Sequence, residues 1–216
     1  MKHAGAALLA VVMAIMLATP AGATSPEAIS KIFLSTDETA TLLNAPLTLE
    51  TPFDSPYQDF NIDVAACHDA VDIGLPSVFE TASLQAFHIS LMRDVPVNGR
   101  YFIKQAAGIF ADAAAAKAVF TGLGGALAAC YRTPGAVEMT FPGGGAPEHW
   151  RFQDLAGGGT DRLTWRKKET VDIGWECTFG AQLKGNVVLQ AKTCEYSYPG
   201  AHSTALLNAM LARTPS

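Results

Sequence analysis

Alternation of apolar and polar positions dominates the second half of the chain and predicts an antiparallel β-meander. Five segments there alternate and are separated by glycine-rich loops: 137–141, 149–155, 162–168, 173–179 and 186–194. Two earlier strands are predicted at 84–92 and 100–110, with Asn98-Gly99 as the turn signal between them. We expect strands that are neighbours along the chain to pair, because sequential strands usually lie side by side.

Helical patterns flank these strands. Ser35 and Glu38 form a capping-box signature, and Asp112 is a good N-cap for an alanine-rich helix over 112–130. One face of that helix carries its apolar residues: Val119, Leu123, Ala126, Leu127 and Cys130. A short helix is expected within 62–74 and an amphipathic one over 201–212, whereas the proline-rich stretch 51–61 is typical of a loop.

One hairpin can be given a register from spacing alone. Gly185-Asn186 is a two-residue turn signal, and glycine in first place favours a type II′ turn. Cys177 lies eight residues before Gly185 and Cys194 lies eight residues after Asn186. The turn therefore places the two cysteines opposite each other, at a non-hydrogen-bonded pair where Cα atoms are about 4.5 Å apart. This distance is at the short end of the range that a disulfide accepts.

The chain has four cysteines, which are most simply two disulfides in an exported protein. The hairpin selects Cys177–Cys194 and leaves Cys67–Cys130 as the second bridge. In the chain-entropy model, the bridge that closes the longer loop stabilises the fold by about 4 kcal/mol, and the hairpin bridge stabilises it by about 3 kcal/mol.

The first 23 residues have the pattern of an export signal. Lys2 and His3 precede an uncharged run over 4–18, and Ala21-Gly22-Ala23 is a small-x-small cleavage site. We expect cleavage after Ala23, which gives a secreted, extracytoplasmic single domain over 24–216. The apolar run is short for a membrane span, which needs about 20 residues, although retention as an anchor is the alternative. No membrane span is predicted in the mature chain.

The mature chain is acidic. The full sequence has a formal net charge of −5, and residues 1–23 contain one Lys and no acid, so the mature charge is −6. This charge argues against nucleic acid or an anionic membrane as an electrostatic partner.

Signals for catalysis are weak. The histidines are scattered, so we expect neither a metal site nor a cofactor. No Gly-x-Ser-x-Gly motif is present, and the cysteines are expected to be paired. A hydrolase site assembled from distant residues, such as Ser90, His88 and Asp94, is the alternative to a binding function.

A polar and aromatic cluster on the meander is the candidate binding feature. Alternation places His149 and Arg151 on the face opposite Trp150, and Arg166 on the face opposite Trp165. If the tryptophan face is core, the arginine face is either a solvated surface or the wall of a cleft that holds an anionic or aromatic ligand.

The order of these features resembles the PknH-like extracellular (sensor) domain family of mycobacteria. The most specific matches are 174–177 (Gly-Trp-Glu-Cys), 185–188 (Gly-Asn-Val-Val) and Cys194, and the likeness covers nearly the whole mature chain. It implies an α/β (α+β) fold with a twisted antiparallel β-sheet packed by helices, two disulfides paired first to second and third to fourth, and an open cleft. Leu127 stands where the family often has Trp, and no cysteine is available for lipidation.

We therefore expect a secreted, disulfide-stabilised ligand-binding or sensor-like domain without catalytic activity. Its partner would be an unknown small molecule, a cell-envelope component or a protein. The hairpin is expected to fix strand register. The binding surface is expected to be a cleft between the sheet and a helix and not the hairpin itself. Candidate ligand-binding residues are Arg151, Arg166, His149, Tyr101 and Gln105.

Overall fold

The computed structural model describes residues 22–94, 99–158, 160–172, 174–196 and 200–215. Several sequence predictions fall partly outside these residues. They are most of the signal peptide over 1–23, Asn98 of the predicted turn, position 173 at the start of a predicted strand, and Tyr198-Pro199, which follows the meander.

The described residues contain one open antiparallel sheet of nine strands, in the order β1-β3-β4-β9-β8-β7-β6-β5-β2. The strands are β1 Leu47–Phe53, β2 Asn61–Ile62, β3 Leu84–Asp94, β4 Tyr101–Phe110, β5 Val137–Thr140, β6 Glu148–Ala156, β7 Arg162–Glu169, β8 Trp175–Lys184 and β9 Val187–Tyr196. The predicted meander is confirmed from β5 to β9. The last strand, β9, joins it to β4 and so lies in the middle of the sheet.

The prediction of a loop over 51–61 is wrong at both ends. Asn61 begins β2, and residues 51–53 belong to β1, which pairs with β3 at the edge of the sheet. An edge strand tolerates Pro52, because only one of its sides has to supply ladder hydrogen bonds. The proline therefore marks an edge strand here.

The α-helices are α1 Thr36–Leu43, α2 His68–Val71, α3 Pro76–Phe79, α4 Ala113–Tyr131 and α5 His202–Arg213. Short 3₁₀ helices cover Pro26–Lys31 and Ala65–Cys67. Both predicted caps are confirmed, since Ser35 and Glu38 form the capping box and the Asp112 side chain accepts a hydrogen bond from Ala115 N–H.

Each face of the sheet has its own apolar core. One core lies under α2, α3 and α4, and the other lies under the first 3₁₀ helix, α1 and α5. In α4, Phe120 is buried and Val119 is only partly buried, so the inward face is turned slightly from the predicted one. By length and composition alone α4 could cross a membrane, but its inward residues pack in this core.

The predicted hairpin and both disulfides are confirmed. Gly185 has φ of +56°, and Asn186 is not among the positive-φ residues, which fits a type II′ turn. Cys177 lies opposite Cys194 with their Cα atoms 4.0 Å apart. Cys67 and Cys130 form the second bridge, which ties the short helices around residue 67 to the end of α4.

Candidate functional site

A cavity of about 240 Å³ opens on the α4 face of the sheet. Seven strands, β3 to β9, and the segments that precede α2 and α3 contribute to its walls. It is lined by Asp59, Phe60, Asp72, Arg93, Gly99, Tyr101, Phe102, Met139, Phe141, Glu148, Trp150, Lys167, Trp175, Cys177, Lys192 and Cys194.

The floor of the cavity is one row of side chains across four strands. Lys167 pairs with Cys177, Cys177 pairs with Cys194, and Cys194 pairs with Phe102. The hairpin disulfide is therefore part of the cavity wall, although the sequence interpretation placed the hairpin outside the binding surface. Because the bridge fixes the register of β8 on β9, it also fixes which side chains reach this floor.

Four ionisable side chains are buried at or beside the cavity. Their exposed fractions are 6% for Asp72, 2% for Lys104, 1% for Lys167 and 5% for Lys192. Charged side chains are almost never buried so fully unless they are paired, so each of the four requires an account of its partners.

Asp72 is the counter-ion of two of these lysines. Its Oδ2 lies 2.5 Å from Lys104 Nζ and its Oδ1 lies 3.0 Å from Lys192 Nζ. Burial alone would raise the pKa of the carboxyl group, but the two ammonium groups outweigh burial and hold that pKa well below its usual range. Burial lowers the pKa of Lys192, and the Asp72 carboxylate opposes that effect.

The backbone around Asp72 is built to hold it there. Ile73 N–H donates a hydrogen bond to Asp72 Oδ1, and Gly74 N–H donates one to Gln190 Oε1, both at 2.8 Å. Gly74 has φ of +72°, and a Cβ at that position would lie 2.4 Å from an Ile89 side-chain carbon. Only glycine fits this turn without displacing its neighbours.

In the described part of the chain no carboxylate lies within ion-pair distance of Lys167, although the charges of Glu148 and Asp72 act on it from farther away. Its Nζ lies 3.7 Å from the centre of the Trp150 ring, a cation–π contact, and no hydrogen-bond acceptor among the described residues reaches it. Burial and then the nearby Lys192 charge lower the pKa of Lys167 well below its ordinary value. The Lys167 nitrogen therefore faces the cavity with the Trp150 ring on one side and with no hydrogen-bond acceptor among the described residues.

Aromatic rings form much of the remaining wall. Trp150 is buried and donates its indole N–H to Glu148 Oε2 at 2.9 Å. Trp175 is half-buried at the start of β8, with its ring centre 5.0 Å from that of Tyr196. Phe102 lies beneath Lys192, whose Nζ is 4.6 Å from the ring centre. The site thus combines a basic floor with flat apolar walls, a combination that suits small ligands.

The structure does not bring the five predicted ligand-binding residues together. Tyr101 lines the cavity. Gln105 is buried on the opposite face, where its side chain exchanges hydrogen bonds with the backbone of Leu34. Arg151 is exposed, and His149 is half-buried and donates its backbone N–H to Glu169. A binding role for Gln105, Arg151 and His149 stays a prediction.

Arg166 lies in a network on the other face of the sheet. Its guanidinium is 3.0 Å from Glu176 and 2.7 Å from Asp154. The predicted alternation is confirmed, because Trp150 and Trp165 are buried in the core and Arg166 lies on the face opposite Trp165. A ligand role for Arg166 also stays a prediction.

The residues of the hydrolase alternative have separate partners. Ser90 donates to Glu50, His88 pairs with Asp54, and Asp94 accepts hydrogen bonds from two backbone N–H groups. Among the described residues no group of three His, Cys, Asp or Glu could hold a metal ion.

Comparison with known proteins agrees with this architecture. No curated protein sequence matches the chain. Among solved structures, the extracellular domain of PknH from Mycobacterium tuberculosis matches with a TM-score of 0.79 and 18% sequence identity. The match covers 88% of this chain and 96% of that one, and at this identity it shows the shared fold alone. The family model described as "PknH-like extracellular domain" matches residues 24–213. The chain therefore belongs to the PknH-like extracellular domain family.

Proposed function

We propose that the protein is an extracytoplasmic ligand-binding domain of sensor type, and that the cavity above the Cys177–Cys194 bridge is its binding site. The observation that carries this proposal is the burial of three lysines and one carboxylate beside an aromatic cavity. Desolvating so many charges is costly, so such clusters mark functional sites more often than they serve stability.

The arrangement supports binding more than catalysis. Both oxygens of Asp72 contact lysines, and its pKa is held low, so it is a poor general base. Both cysteines in the floor are joined in a disulfide, which leaves no thiolate to act as a nucleophile.

Shape favours a small molecule over a protein as the ligand. A concave site with aromatic walls is typical of small-molecule binding, whereas protein partners need a large exposed apolar patch. In the described part of the chain the exposed large apolar side chains belong to separate elements: Leu42, Leu49, Val171 and Tyr196.

The proposed location is outside the cytoplasm, with the signal removed after Ala23. Ala23 is exposed, and Thr24 is the first residue tied into the fold. Thr24 N–H donates to Asn186 Oδ1 at 2.8 Å, and Asn186 Nδ2 donates back to the Thr24 carbonyl at 2.9 Å. Cleavage at this point would leave the whole domain intact.

Native mass spectrometry of the protein exported by its own host tests both proposals. Three forms are compared: wild type, Trp175→Ala at the cavity, and Leu49→Ala as an exposed apolar control on β1. We expect a small molecule to remain bound to wild type and Leu49→Ala, with the bound fraction at least tenfold lower in Trp175→Ala. The intact mass should correspond to a chain that begins at Thr24.

Two outcomes would contradict the binding site. One is wild-type protein that carries no small molecule, and the other is equal retention by all three forms. A mass that still includes residues 1–23 would contradict the cleavage.

A further inference from the structure

We propose that the ligand carries an anionic group, a carboxylate or a phosphate, which binds Lys167 and is taken up together with a proton. This inference rests on the proposed function and names the class of ligand for the same cavity.

The first support is geometric. Lys167 is 1% exposed, lines the cavity, and has no hydrogen-bond acceptor among the described residues. An ammonium has three donors, and the Trp150 ring covers only one side of it. Carboxylate and phosphate oxygens are strong acceptors for a buried lysine. An anion in the cavity would supply the contacts that the fold leaves out.

The second support is the balance of charge. Among the described residues, Asp72 is the buried carboxylate that pairs with lysines of this set, so Asp72, Lys104, Lys167 and Lys192 contain two more basic groups than acidic ones. Glu169 is also buried on the Lys167 face of β7, and its carboxylate accepts the backbone N–H groups of His149, Thr170 and Val171. Glu148 is half-buried and already accepts the Trp150 indole N–H. The remaining charged groups in the wall, Asp59 and Arg93, are exposed at the cavity edge. A ligand anion that enters with a proton leaves the net charge of this set unchanged, so Lys167 gains its proton beside a counter-ion and adds nothing to the excess of positive charge.

Proton uptake on binding is expected from the same set of charges. In the empty cavity burial and Lys192 depress the pKa of Lys167, while Glu148 and Asp72 partly oppose them. Lys104, on β4, also lowers that pKa. A bound anion next to Nζ would raise the pKa again, because an opposite charge favours the protonated form. Binding is therefore expected to draw a proton from solution wherever Lys167 is neutral in the empty cavity.

The rest of the ligand should be small and apolar. The volume of the cavity, about 240 Å³, is smaller than the roughly 300–1,000 Å³ of sites that bind drug-sized ligands. Trp150, Phe102 and Trp175 supply faces against which a flat ring can pack. Benzoate is a matching probe, with benzamide as its neutral isostere and benzylamine as the cationic counterpart.

Isothermal titration calorimetry of the mature protein with these three probes tests the proposal. At pH 7 we expect benzoate to bind at least tenfold more tightly than benzamide, and benzylamine to bind most weakly. Benzoate affinity should fall as pH rises through the lowered pKa of Lys167, while the benzoate carboxylate stays ionised above about pH 6. At any pH where the affinity falls in this way, titrations in two buffers of different ionisation enthalpy should show proton uptake with benzoate and none with benzamide.

The matched variants are Lys167→Met and Lys168→Met. Lys168 is the next residue, lies on the opposite face and pairs with Glu176 at 2.9 Å. Lys167→Met should reduce the preference for benzoate over benzamide to within about twofold and abolish proton uptake. Lys168→Met should leave both as in wild type, and the pH dependence of wild type remains informative if Lys167→Met fails to fold.

The outcomes separate this inference from the proposed function. Equal binding of benzoate and benzamide by wild type would overturn the anion and leave the cavity as a binding site. Absence of binding by all probes would count against both. Phenyl phosphate at about pH 8, where it is fully ionised, shows which anionic group the site prefers. Tighter binding than benzoate would identify a phosphate, and weaker binding would identify a carboxylate.

Discussion

Asp72→Asn is expected to lower the free energy of unfolding by about 3–5 kcal/mol, the usual cost of removing one partner of a buried ion pair. Asparagine keeps the shape and can still accept the Ile73 N–H bond, but it leaves Lys104 and Lys192 without a counter-ion. Denaturant titration with an unchanged m-value would measure the loss.

Two comparisons make this result specific. Asp69→Asn, three residues earlier, removes a partly exposed carboxylate beside His68 and should cost less than about 1 kcal/mol. The Asp72→Asn deficit should shrink as pH rises, because burial lowers the pKa of Lys192, which can then lose its proton once its counter-ion is gone. Equal losses for the two variants, or a deficit independent of pH, would show that Asp72 does not hold the lysines as charged partners.

Loss of the Cys67–Cys130 bridge is the second large effect that we expect. The bridge closes a separation of 63 residues, so the double Ser variant should lose about 4 kcal/mol in the chain-entropy model. It also joins α4 to the segment that carries Asp72. The Cys177–Cys194 double Ser variant, with a separation of 17 residues, should lose about 3 kcal/mol.

Denaturant midpoints of the two double variants test this ranking. Single Ser variants are avoided, because each would leave a reactive thiol. Equal midpoints at equal m-values, or a larger loss for the hairpin bridge, would contradict the ranking and mean that strain or residual structure outweighs loop length.

The sequence predicted the fold where local rules are strong. The Gly185-Asn186 turn fixed the register of two strands and one disulfide, and it did so because two-residue hairpin turns leave no freedom in pairing. The capping box at Ser35 and the N-cap at Asp112 located two helix starts. The pairing of β4 with β9 was not predicted, since alternation gives each strand two faces but does not say which distant strand lies beside it.

The family resemblance implied an open cleft, but the basic floor of the cavity was missed. A lysine in a strand is usually solvated, so nothing in the sequence marked Lys104, Lys167 and Lys192 as buried. A signal was nevertheless present. Lys192 is two residues from Cys194, so it shares the face of a buried disulfide. Lys167 shares its face with Trp165 by the same rule. Asp72, which completes the cluster, comes from a segment that no local pattern places near the sheet.

The indole N–H signals of the three tryptophans test most directly whether the cavity is the binding site. Trp150 and Trp175 line the cavity, whereas Trp165 donates its indole N–H to the Ala70 carbonyl and is not among the lining residues. We would assign the signals with single Trp→Phe variants and titrate the ¹⁵N-labelled mature protein with benzoate and benzamide. Ligand in the cavity should shift the Trp150 and Trp175 signals and leave that of Trp165 in place. Binding that leaves Trp150 and Trp175 unmoved, or that shifts Trp165 alone, would contradict the assignment of the cavity as the ligand site.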